Sequence, residues 1–559
     1  MSRRVGLVAA LAAAACCSGD HPSGPRSKAQ TSSSASFTVF ATAEIRGQIG
    51  PCGCTSDPLG DLSRTAKLVS DARAAGPVLV LDAGSLLYSK FPVPPMMAAE
   101  EELKADLLAS TFRDTLHVAA IGLGPADLAT GPGALRLPRQ SIDARDAKLA
   151  IEAPKVVEIA GAKVGVFGVV AAGAVPGLAI DDPVATSKAA IGQLKQQGAQ
   201  IVIALVQAGS KKDAVKLVHD IGGIDLAIAG LGANAPEPEL VAAEPQKIGT
   251  SWLVIPGNRG QVVSKLELTV RGAGPLTDAI GRAAAAARIA AIDKQLVGLD
   301  ADLARFAADK DADPTFVANK HSERAALAAE RELLQAQPLV APAAGNYFTL
   351  DQVRINKLLA CSVPVQNAIA AYDLAAGHAN FKAAENQAVP SPPKGQASYV
   401  GTEACGDCHS DAVDFWKTTV HANAWKTLEE RGQQFDYACI GCHVTGWDKP
   451  GGTNLAHTDK LRDVQCETCH GPGSIHVAKG GEDKPFSVQR APAEGLCASQ
   501  CHTKEHSDTF QHDAYLRDVI GPGHGASKRK LLGDGPTGHE LRKAALDKAG
   551  RTLGTGCIR

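Results

Sequence analysis

The chain has 559 residues, enough for about three to four domains, and its 45% apolar composition can supply buried cores. Its 57 basic and 59 acidic residues nearly cancel, which excludes the basic footprint of a nucleic-acid-binding protein. Aromatic residues are only 4%, so the cores must be built from small aliphatic side chains or filled by something other than protein.

The N-terminus has the composition of an export signal. Arg3 and Arg4 precede an apolar run from Val5 to Ala15 that is too short to span a bilayer, and Cys16 and Cys17 open a polar Ser/Pro/Lys stretch. Small residues directly before Cys16 resemble a bacterial lipoprotein cleavage site, although Ala13 stands where Leu is usual. Residues 1–17 are therefore expected to be a signal peptide, Cys16 a lipid anchor to a membrane, and 18–35 a flexible tether. The mature protein is expected outside the cytoplasm, in the periplasm or attached to the outer membrane.

From 36 to 275 short apolar runs recur: "FTVFATA", "VLVLDAG", "HVAAIGLG", "KVGVFGVV", "IVIALVQAG", "DLAIAGLG", "SWLVIPG" and "SKLELTV". Runs of this length, rich in Val and Ile and separated by helix-like stretches and Gly-rich turns, predict an α/β domain with buried sheets. The first run leads into "FATAEIRGQIGPCGC", a turn with two cysteines one residue apart, Cys52 and Cys54. In an exported protein such a pair can form a disulfide, bind a metal or act as a redox dithiol. Cys361 and Cys557 are also unassigned and could bridge to each other or to this pair.

The order and wording of these strand ends resemble the calcineurin-like metallophosphoesterase fold of secreted 5'-nucleotidases. That resemblance implies a sandwich whose loops hold two bridged metals that activate water against a phosphate ester. The family's T-N-D-x-H-G falls on Thr42, Ala43, Glu44, Ile45, Arg46 and Gly47, and its D-A-G-D on Asp82, Ala83, Gly84 and Ser85. G-N-H-E falls on Gly124, Pro125, Ala126 and Asp127, the later S-H on Val206 and Gln207, and G-H-x-H on Gly230, Leu231, Gly232 and Ala233. Glu44, Asp82 and Asp127 are too few donors for two ions about 3.5 to 4 Å apart, and Arg46 brings a fixed positive charge. No catalytic divalent metal is therefore expected in this domain.

A helical section is expected over 276–340. Ile289, Ile292, Leu296, Leu299, Leu303 and Phe306 alternate spacings of three and four, the pattern of a coiled-coil seam. After "DKDADP" a second charged helix runs from about Thr315 to Gln335, so the pair predicts an antiparallel hairpin, a spacer or a homodimer contact. Residues 341–386 are expected to return to the α/β domain, and 387–397, containing "AVPSPPKGQ", to link it to the last domain.

The last domain, 398–559, carries the strongest chemistry. Eight of the 14 cysteines lie in "CGDCH" (405–409), "CIGCH" (439–443), "CETCH" (466–470) and "CASQCH" (497–502). Two thiols about one turn apart suit the two vinyl groups of a haem, and the histidine after the second thiol is then held against the iron. Haems are thus expected on Cys405 and Cys408 with His409, on Cys439 and Cys442 with His443, and on Cys466 and Cys469 with His470. "CASQCH" has one inserted residue; it offers either a fourth haem on Cys497 and Cys501 with His502, or a disulfide between those two cysteines. Other histidines available as sixth ligands are His421, His457, His476, His506, His512, His524 and His539.

"YVGTEACGDCHSDAVDFWKTTVHANAW", "CIGCHVTGW" and "VQCETCHGPGSIHV" resemble the tetrahaem cytochrome c family whose type member accepts electrons from hydroxylamine oxidoreductase. The resemblance implies four c-type haems, electron exchange with redox partner proteins, His421 as the distal ligand of the fourth haem and His476 as that of the first. It implies a third distal ligand after the last motif, for which "GPGHG" points to His524, with His512 and His506 behind it. The stretch from Ser527 holds eight Lys or Arg against three acids, either a solvated tail or a docking aid for an acidic redox partner. The fold class expected is multidomain: an α/β metallophosphoesterase-like sandwich, a helical hairpin and a mostly α-helical multihaem cytochrome c domain.

Overall fold

The structure is a computed structural model that describes residues 34–549 apart from 52–54, 310–311, 338–340, 494 and 505. The proposed signal peptide with Cys16 and Cys17, the pair Cys52 and Cys54, and Cys557 lie outside the described residues.

The chain begins with β1 (Ala35–Thr42), α1 (Leu62–Ala75), β2 (Val78–Asp82), α2 (Ala98–Ser110) and β3 (Val118–Ile121). Short strands β4 (Arg139–Gln140) and β5 (Ile151–Glu152) precede β6 (Lys155–Ile159), β7 (Ala162–Val170), α3 (Pro183–Gln196), β8 (Ile201–Gln207), α4 (Lys211–Ile221) and β9 (Leu226–Gly230). Then follow β10 (Gln246–Ile248), β11 (Ser251–Val254), β12 (Val262–Val270) and β13 (Leu276–Asp278). The hairpin helices α5 (Arg282–Ala308) and α6 (Pro314–Ala336) separate these from β14 (Asn346–Arg354) and α7 (Val363–Ala384). All eight apolar runs of the sequence are strands.

Two six-stranded mixed sheets result, in the orders β13-β14-β12-β1-β2-β3 and β10-β11-β9-β8-β7-β6. Side chains alternate between faces, so an unbroken apolar strand serves two cores at once. In β8, Ile201, Ile203 and Leu205 point into the layer between the sheets, where they meet Val39, Leu81, Leu266 and Phe348 of the other sheet. Val202, Ala204 and Val206 point outward and pack under α3 and α4. Phe40, Val80 and Val263 do the same under α1, α2 and α7 on the far side. The domain is thus a four-layer sandwich of helix, sheet, sheet and helix.

Local signals place the helices. Asp61 caps α1 by accepting from Ser63 and Arg64 N–H, and Asp182 and Asp313 cap α3 and α6, each with proline in the first turn. The seam residues Ile292 and Leu299 of α5 are buried, with Ile289, Ile292 and Leu296 packed against Leu327 and Leu334 of α6. Arg288–Glu330, Arg331–Asp293 and Arg324–Asp300 ion pairs staple the two helices along their length.

The last region is made of short helices: α8 (Thr402–Gly406), α9 (Ser410–Trp416), α10 (Ala424–Glu429), α11 (Cys466–His470), α12 (Ser474–Ala478), α13 (Leu496–Gln500), α14 (His512–Val519), α15 (Ala526–Leu531) and α16 (Gly538–Lys548). Its buried apolar cluster is small, Trp425, Ile440, Val444 and Leu455 with Ala384 from α7.

Residues from Ser34 onward form one compact unit. Asn380 of α7 joins its parts, donating to Glu100 at 2.7 Å in α2 and to the Phe435 carbonyl at 2.9 Å. Among the described residues, no helix is long and apolar enough to cross a membrane.

Candidate haem-binding site and a polar cluster in the α/β domain

The first and fourth Cys/His motifs form turns that bond the histidine N–H back to the first cysteine, whereas in the second His443 N–H bonds to the Ile440 carbonyl at 2.9 Å. In the first, His409 N–H bonds to the Cys405 carbonyl at 2.9 Å. In the fourth, His502 N–H bonds to the Cys497 carbonyl at 2.8 Å. The inserted residue of "CASQCH" is therefore absorbed as one wider turn, and the bond from histidine to first cysteine is retained. All eight motif cysteines are free thiols here, Cys497 and Cys501 included.

The motifs lie against one another. Cys405 and Cys466 interact, as do Cys442 and Cys501; in each pair one thiol, Cys405 and Cys501, is pushed up by its neighbour and the other held down. Cys469 and Cys497 are electrostatic neighbours. First and third motifs thus adjoin, as do second and fourth, and third and fourth.

The histidines show a common device. His443 Nδ1 faces the Ala424 carbonyl at 2.5 Å, His470 Nδ1 the Gln489 carbonyl at 2.7 Å, and His476 Nδ1 the Asp483 carboxylate at 2.6 Å. A carbonyl or carboxylate can only accept, so the proton sits on Nδ1 and Nε2 keeps its lone pair. Asp483 is itself fixed by Ser487, whose N–H and hydroxyl donate at 2.6 and 2.7 Å. His502 Nδ1 lies 3.1 Å from Ser507 Oγ, which donates onward to the Tyr515 hydroxyl at 3.3 Å. Burial lowers His443, and it lowers His502 to about 4 with His421 adding to the effect. Neutral imidazole, the form that ligates iron, is thereby favoured.

Two histidine pairs emerge. The rings of His421 and His502 have centroids 6.3 Å apart, and two imidazoles on opposite sides of one metal, each bonded at about 2 Å, have ring centres about 6 Å apart. His524 is lowered first by burial and next by His470 beside it. His506 instead bonds Thr503 at 2.9 Å and lies beside Arg259 of the α/β domain, while His512 faces its neighbour Asp513. His457 and His539 are exposed. These residues fit the demands of covalently held haem: paired thiols, an adjoining imidazole with free Nε2, and imidazoles facing it from elsewhere in the chain.

The α/β domain presents a second cluster where strand ends of both sheets meet. Thr42 Oγ1 donates to Asp82 Oδ2 at 2.6 Å, and Gly84 N–H to Asp82 Oδ1 at 2.8 Å. Gln207 Nε2 and Gly232 N–H both donate to Glu44 Oε1, at 2.9 and 2.8 Å. A Cβ at Gly230 would stand 2.7 Å from Gln207 Oε1 and 2.8 Å from Glu44 Oε1, so a side chain there would displace the ends of both. Asp127 accepts from the N–H groups of Ser85, Leu86, Leu87 and Gly124 and from Arg139 at 2.9 Å. Glu44, Arg46 and Ser85 keep left-handed φ angles of 52°, 52° and 59°, the strained backbone of a functional turn. Among the described residues, no three His, Cys, Asp or Glu are grouped to hold an ion.

Several of these partners had no signal in the sequence. Arg139 lies in a two-residue strand twelve positions past Asp127, and Asp483 follows His476 across a Gly-Gly turn. Neither spacing belongs to a helix or strand period. Cys361 is disulfide-bonded.

Residues 404–471 match the family described as Cytochrome c554 and c-prime. The chain is 36% identical over 119 residues to cytochrome c-554 of Nitrosomonas europaea, a match covering 18% of this chain and 51% of the relative. The chain thus spans about half the length of that curated relative. Similar solved structures include the 5'-nucleotidase precursor of Thermus thermophilus, 18% identical with TM-score 0.41 over 66% of this chain and 63% of that one. Another is the calcineurin-like phosphoesterase YfkN of Bacillus subtilis, 20% identical with TM-score 0.34 over 42% of this chain and 86% of that one.

Complete burial raises Asp82 from 3.8 to about 7, and the nearby Asp127 charge adds to the rise. The native state therefore holds a proton that the unfolded chain has lost, and the stability this group contributes falls as pH rises from about 4 to about 7. Asp82→Asn should flatten the pH dependence of the denaturation midpoint in that window. A variant as steep as the parent would contradict the assignment.

Proposed function

We propose that the chain is an exported c-type cytochrome that passes electrons through four covalently held haems, with a catalytically silent phosphoesterase-like domain as scaffold or docking module. The observation that carries this reading is the set of four Cys/His motifs packed against one another, with Nδ1 of His443, His470, His476 and His502 occupied so that Nε2 of each is left for a metal.

Cys405 and Cys408, Cys439 and Cys442, Cys466 and Cys469, and Cys497 and Cys501 would hold the haems through thioethers. His409, His443, His470 and His502 would be the proximal ligands. His476, His524 and His421 would be distal ligands for the first, third and fourth haems. The bound group supplies a reversible one-electron iron couple, and the polypeptide supplies position and electrostatics. Acceptors on Nδ1 of His443, His470, His476 and His502 hold those rings in one tautomer, and a charged acceptor such as Asp483 adds anionic character to the ligand. Contact between neighbouring motifs gives electrons a continuous route to a redox partner protein. Export and an acyl anchor at Cys16 belong to the same reading, since haem of this type is attached outside the cytoplasm.

Loss of phosphoesterase chemistry is supported by how the remaining donors are used. Asp127 is saturated by backbone N–H groups and an Arg139 guanidinium, and Gln207 and Gly232 N–H groups claim one oxygen of Glu44. A two-metal site needs these oxygens for its ions.

Intact-mass measurement of protein matured in a periplasm with haem-attachment machinery should show four haem adducts. Three adducts with a Cys497–Cys501 disulfide would overturn the fourth site. A phosphatase assay with added manganese or zinc should show no turnover above background, and robust turnover would overturn the silent domain. Asp483→Asn should raise the midpoint potential of one haem by removing the anionic partner of His476, as read by spectroelectrochemical titration. Unchanged potentials for all haems would contradict that role.

A further inference from the structure

The turn after the fourth motif is held from two sides. Toward the motif, buried Ser507 sits 3.1 Å from His502 Nδ1 and passes its own proton to Tyr515, which shares a 2.7 Å hydrogen bond with Thr509. Phe510 stacks on the His502 ring at 4.8 Å and 12°, and Tyr515 meets it edge-on at 5.0 Å. The turn closes on itself through Ser507 N–H to the Thr503 carbonyl at 2.8 Å and Phe510 N–H to the Ser507 carbonyl at 3.1 Å.

Away from the motif, the flanking residues reach the α/β domain. The Asp508 carboxylate accepts the Ser56 N–H at 3.0 Å and, through its other oxygen, the Ser56 hydroxyl. Both oxygens are thus engaged by one residue, and Ser56 is buried. His506 lies beside Arg259, whose backbone N–H donates to the Glu44 carbonyl at 2.8 Å. Ser56 belongs to the segment between β1 and α1 that also carries Glu44 and Arg46. The end of the sandwich where the phosphoesterase resemblance places metal ligands is therefore the end that grips the 503–510 turn.

A two-point hydrogen bond to a carboxylate fixes direction as well as distance. One residue away, Ser507 sets the direction of the His502 imidazole and the strength of its Nδ1 hydrogen bond. The acceptor here is a hydroxyl, weaker than the carbonyls facing His443 and His470 or the carboxylate facing His476. Small movements of the turn would therefore change how strongly His502 donates charge to a metal.

We propose that the Ser56–Asp508 clamp is a positioning device through which the α/β domain sets the axial histidine, and hence the redox potential, of the fourth haem. This rests on the reading of His502 as an iron ligand. Ser56 and Asp508 are positioning residues, and Ser507 is the link that transmits their hold.

The test compares Ser56→Ala, Asp508→Asn and Ser507→Ala in the full-length haem-loaded protein, using haem count by intact mass, electron paramagnetic resonance of the ferric haems and spectroelectrochemical titration. All three variants should keep the parent haem count, and each should displace the resonance and midpoint of the same single haem, with Ser507→Ala largest. A Ser56→Ala variant that loses thermal stability while every haem signal stays in place would make the clamp a mere domain contact and overturn the proposal. So would a silent Ser507→Ala. A parent protein with three haems would instead fail the reading of His502 itself, an outcome that mass reports separately from the potentials.

Discussion

The imidazoles of His421 and His502 face each other at 6.3 Å although they come from a 3-10 turn before α10 and a loop after α13. Such a pair has no reason to be buried together on its own account. Two neutral rings gain little from each other, and each loses hydration on burial. The haem iron proposed between them would supply the missing energy. The same holds for the region as a whole, whose apolar cluster rests on a few residues around Trp425 and Ile440. Its chain folds in short helical turns that carry half-buried thiols and imidazoles, and on the proposed reading haems would take the place of a hydrophobic core, with fold depending on cofactor as in other small metal-dependent domains.

The α/β domain reaches its stability by the opposite route. Its two sheets bury unbroken aliphatic strands on both faces, and its polar groups are concentrated at one end, where strands of both sheets finish. There the strained turns at Glu44, Arg46 and Ser85 persist, while Gln207, Gly232, Arg139 and backbone N–H groups occupy the carboxylates. The carboxylates at this end are engaged by hydrogen bonds that tie strand ends of both sheets together. Asp508 extends this into the neighbouring region, so that the sandwich end becomes a surface for the cytochrome-like part.

Much of this was legible in the sequence, for identifiable reasons. Strands such as Ile201–Gln207 announce themselves because a doubly buried strand must be apolar at every position. The hairpin was legible because the spacing of Ile289, Ile292, Leu296 and Leu299 has a helical period, and the structure spends that seam on α6. The thiol and proximal histidine positions were legible because covalent chemistry demands a fixed local spacing. What stayed hidden depends on distant residues. No local pattern pairs Ser56 with Asp508, which are 452 residues apart, or Asp127 with Arg139. His524 was preferred to His512 and His506 on "GPGHG" alone, and no local pattern named its neighbour; the fold brings it to His470 and turns His506 toward Arg259. The extra residue in "CASQCH" seemed to threaten its turn, yet one wider hydrogen-bonded loop preserves the bond from His502 to Cys497.

The central claim is that redox metal chemistry resides on paired histidines in the C-terminal region while the sandwich end holds none. Anomalous diffraction from crystals of the haem-loaded protein, with data at the iron edge and above the edges of manganese and zinc, tests it most directly. The account predicts four iron peaks, all in the region after residue 398, one of them between His421 and His502, and no metal peak among Glu44, Asp82 and Gln207. A metal peak at that sandwich end, or no iron between His421 and His502, would contradict it.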